Sequence, residues 1–271
     1  MDLLCPQHTR TLTSFHFRHI HHPIIKYPYM LEKFKGIVLR TVKYSDSQMI
    51  ASIYTNLYGL QSFIVPRTRM RKTSINGTLW QPLNMVEFDC DLRASARLPR
   101  PQEACLYYSY TELRFSPLKS SIAIFLAEFL CAVLQREQKN LSLYAYLEYS
   151  LQWLDVSSPA SAPNFHLVFL LRMLRFIGIM PNTENYHTGM FFNLTEGICT
   201  PQQPSHPYFI HPDEAAYIPL LFRMNYDTMH LFRFSRKQRR HILETLNVYY
   251  RLHIPAFPEL KSLEVLQEVF D

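Results

Sequence analysis

The side chains with the plainest chemical character in this chain are clustered cations. Arg67, Arg69, Arg71 and Lys72 fall within the six-residue run Arg67-Thr-Arg-Met-Arg-Lys72. Cations at this spacing on a short loop suit successive phosphates of a nucleic-acid backbone, a contact that does not read the bases. Arg40 and Lys43 lie upstream and would extend the same patch. From Met30 to Ile75, eight Lys or Arg face only Glu32 and Asp46, a balance of +6. The plainer reading is a solvated loop. A second cluster follows Ser235: Arg236, Arg239 and Arg240 stand at three- and four-residue spacing, hence broadly on one helix face. Guanidinium pairs with phosphate and carboxylate alike, so this face suits DNA or the carboxylate end of a partner. Arg172 and Arg175 form a weaker third candidate for either ligand. Tyr44, Tyr54 and Tyr58 could stack on bases or pack beside the sheet.

No catalytic arrangement of comparable sharpness exists. The chain has six Gly and neither GxGxxG nor GxxxxGK[ST], which argues against a nucleotide-driven motor. HExxH and GxSxG are absent as well. Asp89 and Asp91 share a strand face without the companion acids of a nuclease, and read as solvent-facing. The five cysteines are widely spaced, odd in number and form no CxxC pair. That pattern argues against structural zinc and against a disulfide scaffold, and fits a reducing cytoplasm. Cys90, Cys105 and Cys131 have apolar neighbours and read as small core residues. His16, His19, His21 and His22 read as having no specific ligand role. No catalytic, cofactor or metal residues are therefore assigned.

No apolar run reaches the roughly 18–20 residues that span a bilayer, and the first 29 residues lack the apolar core of a secretory signal. Regular periodicity begins only after Met30, so residues 1–29 read as a loose leader or as a start assigned upstream of the natural one. Strands are expected over Phe34–Val42, Gln48–Thr55, Leu60–Val65 and Leu83–Asp91, with a fifth near Leu92–Leu98. Gly36 suggests a bulge or close approach, and Asn56–Gly59 a tight turn. Five short strands in this span suggest a small closed barrel of the OB type over residues 30–100. Pro99 and Pro101 mark the boundary.

Beyond it the period becomes helical. Helices are expected over Leu118–Gln138, Leu141–Leu154, Phe165–Ile177, Ser235–Leu252 and Leu260–Val269. Residues 181–212 read as a loop-rich insertion. The fold class is therefore mixed, an all-β barrel followed by a mainly helical domain over residues 101–271. A partner peptide with an apolar end would need a groove; Phe129, Leu170 and Leu174 could line one, although simple core packing explains them too.

Several runs resemble the bacterial RecO family of DNA repair and recombination mediators. They are Gly36–Ser47, Ile53–Gly59, Pro82-Leu83 before a strand, Leu118–Leu130, Leu170–Pro181, Leu246–His253 and Leu260–Phe270. Their order and spacing cover roughly residues 30–271, and the last resembles members from Bacteroidetes-like bacteria. The resemblance implies an OB domain followed by a helical domain. It implies binding of single- and double-stranded DNA, strand annealing, and recombinase loading with RecR. It further implies contact with the acidic, apolar C-terminal tail of single-strand binding protein. Many members carry a four-cysteine zinc site after the Gly-x-x-Pro turn. Here residues 182–204 hold only Cys199, so a metal-free loop is expected there. A competing expectation is an adaptor whose main ligands are RecR and single-strand binding protein rather than DNA. A DNA-processing enzyme is the third class.

Overall fold

The computed structural model describes residues 32–67, 77–91, 98–135, 137–158 and 162–269. Five antiparallel strands come first: β1 (Glu32–Lys43), β2 (Gln48–Thr55), β3 (Gly59–Pro66), β4 (Met85–Cys90) and β5 (Gln102–Tyr108), in the order β3-β2-β1-β4-β5. The first four lie where the sequence pattern places them. The β1–β2 register slips between Val38 and Arg40, a short way beyond Gly36.

The fifth strand departs from expectation. Residues 92–97 lie outside the described residues, and β5 begins only after Pro99 and Pro101. The prolines therefore precede a strand instead of ending the sheet. Proline cannot donate to a ladder, which makes the approach to an edge strand a tolerated place for it. Among the described residues no ladder joins β3 to β5, so the sheet is OB-like but not closed. One backbone bond spans the gap, from Ile64 N–H to the Pro99 carbonyl at 2.9 Å.

β1 is buried on both faces. Phe34 and Val38 join Phe63, Trp80 and Phe88 in a core inside the curved sheet. Ile37 and Leu39 face the other way, into the larger core made with the helices. Such two-sided burial explains the unbroken apolar stretch Ile37-Val38-Leu39 within the strand. Cys90 belongs to the inner core, as anticipated. Cys105 does not: it is exposed on β5, and Cys131 is only half-buried. Apolar sequence neighbours do not bury an edge-strand residue whose own side faces out.

The helices are α1 (Pro117–Val133), α2 (Leu141–Val156), α3 (Phe165–Phe176), α4 (Pro212–Ala215), α5 (Ile218–Arg223), α6 (Arg236–His253) and α7 (Ser262–Val269). Their starts are chemically specified. The Ser116 and Asn140 side chains accept from the amides of Lys119 and Leu143, and Ser235 with Gln238 forms a reciprocal capping box. α1 ends at Val133, short of Gln138. The insertion is more regular than its composition suggests. Strands β6 (Phe191–Asn193), β7 (Ile198–Thr200) and β8 (Phe209–Ile210) form a small antiparallel sheet in the order β7-β6-β8. Two- and three-residue strands are too short to leave a readable alternation.

Sheet and helices share a core within one packed unit. Gly59, at φ 67°, turns β2 into β3 directly against the backbone of Glu137 and Gln138; an added Cβ would stand 2.6 Å from the Gln138 carbonyl carbon. The strongest polar tie is Asp155 near the end of α2. Its buried carboxylate accepts from the amides of Thr111, Glu112 and Leu113 (2.7–3.1 Å) and from the Tyr108 hydroxyl (3.0 Å). The buried Lys119 ammonium donates to the Asp155 carbonyl at 2.7 Å. Burial pushes the Asp155 carboxyl up, but the three amides and the Tyr108 hydroxyl outweigh it and hold it below the ordinary carboxylate range. The segment leaving β5 is thereby clasped to α1 and α2.

Candidate nucleic-acid interface and partner groove

The described part of the first basic cluster is its base. Arg67 follows β3, is exposed, and donates its amide to the Ser47 carbonyl at 2.9 Å. Gly77 closes the other side: a Cβ there would collide with the Arg67 carbonyl. The chain thus leaves and re-enters the sheet through one narrow neck, where only glycine permits the approach. Arg69, Arg71 and Lys72 belong to the intervening segment and lie outside the described residues.

The neck stands beside the β1–β2 turn. Lys43, at the end of β1, is exposed and pairs with Asp46 at 2.9 Å. Arg40 is also exposed. Burial pushes the Cys131 thiol up to about 11 while the nearby Arg40 charge pulls it down, which places Arg40 beside α1. Among the described residues neither Arg40 nor Arg67 has an ion-pair partner. Two other β1 cations are engaged. Lys33 pairs with Glu87 at 3.1 Å, and that hydrogen bond raises its pKa. The Lys35 ammonium lies 4.7 Å from the centre of the Tyr107 ring. Of the tyrosines, Tyr54 is fully buried and offers no stacking surface. Tyr58 donates to Glu32 at 2.6 Å, and Tyr44 is exposed.

The second cluster opens α6 but does not present three equivalent guanidinium groups. Arg239 is half-buried and donates to the Phe234 carbonyl at 2.7 Å. It lies near the fully buried His166, whose pKa burial lowers to about 3 with help from the Arg239 charge. Arg240 pairs with Glu244 at 3.1 Å, and Gln267 of α7 donates to the same carboxylate. Arg236 is exposed. In α3, Arg172 donates to the Met224 carbonyl at 3.3 Å, whereas Arg175 is exposed in the last turn.

Beside α6 lies a groove of about 250 Å³. Its apolar wall includes Leu174 of α3, Phe192 of β6, Ile218 and Leu221 of α5, and Ile242 and Leu246 of α6. Leu174 lines it as the sequence suggested. Phe129 and Leu170 do not; both are core residues, Phe129 packed edge-on to Tyr250 and Leu170 accepting the Tyr250 hydroxyl through its carbonyl. Six elements, from α3 to α6 along the chain, contribute to the groove. The signal that could have pointed to it is the helical spacing of Ile242, Leu246 and Tyr249 in α6.

Two family models match the chain in succession: "Recombination protein O N terminal" over residues 30–110 and "Recombination protein O C terminal" over residues 114–264. This chain belongs to the RecO family. The protein called DNA repair protein RecO in Phocaeicola vulgatus is 49% identical over 241 residues, spanning 89% of this chain and all of the relative. That of Bacteroides fragilis is 46% identical over 243 residues, with the same shares. That of Porphyromonas gingivalis is 34% identical over 241 residues, covering 88% of this chain and 98% of the relative.

The two RecO family segments meet within residues 110–114, the stretch that Asp155 clasps. Around residues 182–200, local hydrogen bonds hold the small sheet. Asn182 N–H donates to the Gly197 carbonyl at 2.8 Å, and Asn193 Oδ1 accepts the Thr195 and Glu196 amides. His253 Nε2 lies 2.8 Å from the Leu194 carbonyl, and the Tyr249 hydroxyl donates to that of Ile179 at 3.0 Å. Among the described residues no helix is long and apolar enough to cross a membrane.

Proposed function

We propose that this RecO-family chain is a non-enzymatic DNA-binding recombination mediator acting in DNA repair. It binds single- and double-stranded DNA without sequence specificity, promotes strand annealing and supports recombinase loading with RecR, in the cytoplasm and on the nucleoid. The observation that supports the reading is the Arg67–Gly77 neck, which stands at the β1–β2 turn that follows exposed Lys43, with Arg40 exposed further back on the same strand. Phosphate contacts of this kind offset repulsion between two strands and release counterions, so affinity falls steeply with salt.

The test is fluorescence anisotropy of labelled single-stranded DNA across a salt series, using the intact chain and a variant with Arg67, Arg69, Arg71 and Lys72 all changed to Ala. Loss of these contacts lowers the magnitude of the salt slope by up to about 3, at roughly 0.7 per phosphate contact on a single strand. An unchanged slope in a folded variant removes DNA from this loop.

The groove beside α6 favours a second, compatible role as an adaptor. An apolar wall near the basic start of α6 suits the acidic, apolar C-terminal tail of single-strand binding protein. If the quadruple variant keeps its DNA affinity and loses partner binding, the adaptor role becomes the main one.

A further inference from the structure

The rim of the groove contains an acid–base pair drawn from two elements. His241 of α6 and Glu214 of α4 both line it, with Nε2 and Oε2 3.1 Å apart. Each side chain is 56% exposed, so the pair sits at the mouth and not beneath the apolar wall. Among the described residues that line the groove, His241 is the one side chain with a cationic form. The neighbouring arginines turn elsewhere: Arg239 to the Phe234 carbonyl, Arg240 to Glu244 and Arg172 to the Met224 carbonyl.

We propose that His241 receives the terminal carboxylate of a peptide seated in the groove, and that Glu214 is a built-in competitor for the same imidazole. The proposal rests on the reading of the groove as the seat of an acidic, apolar C-terminal tail, and names what sets its affinity. Binding exchanges one carboxylate for another: the His241–Glu214 hydrogen bond breaks, the His241–ligand bond forms, and Glu214 turns to water. At its exposure, rehydrating Glu214 costs little. Exposed Arg236 and Lys237, in the first turn of the same helix, favour the approach of an acidic segment. A peptide without a terminal carboxylate gains the apolar contacts but leaves Glu214 in place. The groove thus discriminates chain ends from internal segments.

The experiment titrates the full chain with a fluorescein-labelled peptide of acidic residues ending in two apolar residues, as the free acid and as the C-terminal amide. Wild type is expected to prefer the free acid. Glu214→Gln tightens the free acid by about two- to five-fold, the range of an exposed ion pair. His241→Ala abolishes the preference between acid and amide. Survival of that preference in His241→Ala, or unchanged free-acid affinity in Glu214→Gln, overturns the proposal. Leu221→Arg separates the two levels. If it abolishes binding while the Glu214 and His241 variants behave as wild type, the groove reading stands and the exchange falls. If wild type does not bind, or Leu221→Arg binds equally, both fall.

Discussion

The two basic regions of this protein look alike as sequence and differ as structure. At the sheet, Arg40 and Arg67 have no ion-pair partner among the described residues, and Lys43, by the β1–β2 turn, pairs with a fully exposed Asp46. At α6, helical spacing would group Arg236, Arg239 and Arg240, yet each has a different fate. Arg239 braces Phe234, Arg240 is tied to Glu244 beside α7, and Arg236 remains exposed. Local charge density therefore does not measure binding capacity. What counts is how many cations the surrounding fold has not already used.

The sharpest way to break this contrast is a direct exchange of losses. The quadruple loop variant at Arg67, Arg69, Arg71 and Lys72 is expected to lose up to about 100-fold in affinity for single-stranded DNA near 0.1 M salt. Arg236→Ala with Lys237→Ala should cost no more than about five-fold. Anisotropy titrations on the same oligonucleotide decide the ranking, and equal losses would end the distinction.

The next effect tests whether the two regions are held by one rigid junction. Asp155→Ala leaves three amides and the hydroxyls of Tyr108 and Thr111 without their acceptor and is expected to cost about 3 kcal/mol. That corresponds to a fall in Tm of roughly 6–12 °C for a chain of this size by calorimetry. The pH dependence has a definite sign. The Asp155 carboxyl is held below its ordinary value, so its stabilising contribution is fully present above about pH 3.9 and is lost as pH falls through the lower folded value. Asp155→Asn should flatten this acid limb of the Tm profile.

Gly77→Ala sharpens the neck argument. An added Cβ meets the Arg67 carbonyl, so the neck must open, at a cost of about 1–2 kcal/mol. DNA affinity should fall while peptide binding in the groove is unaffected. The smallest effect belongs to the α6 start. Ser235→Ala removes the capping box and should lower stability by about 1 kcal/mol, read as a Tm shift of roughly 2–4 °C, with no change in the DNA salt slope.

The legible parts of the fold were those specified by near neighbours. The β-rich runs of β1 to β4 and the helix starts near Leu118, Leu141 and Ser235 each depend on residues close by in the chain, and local caps fix those starts. β5 was misplaced because Pro99 and Pro101 suggested an ending, whereas its partner β4 lies across the intervening segment. Cys105 was misjudged for a related reason: which side of an edge strand faces out depends on register.

The same division holds for the candidate site. Sequence by itself determined where positive charge is concentrated, which segments are strands and helices, and the RecO resemblance that the family match sustains. Only the tertiary structure decided which cations remain free, that Tyr54 is core, and that Glu214 meets His241 at the mouth of a groove. Charge and periodicity are properties of a local stretch of chain. Burial, pairing and cavities arise where distant segments meet, and that meeting is fixed by packing of the whole core.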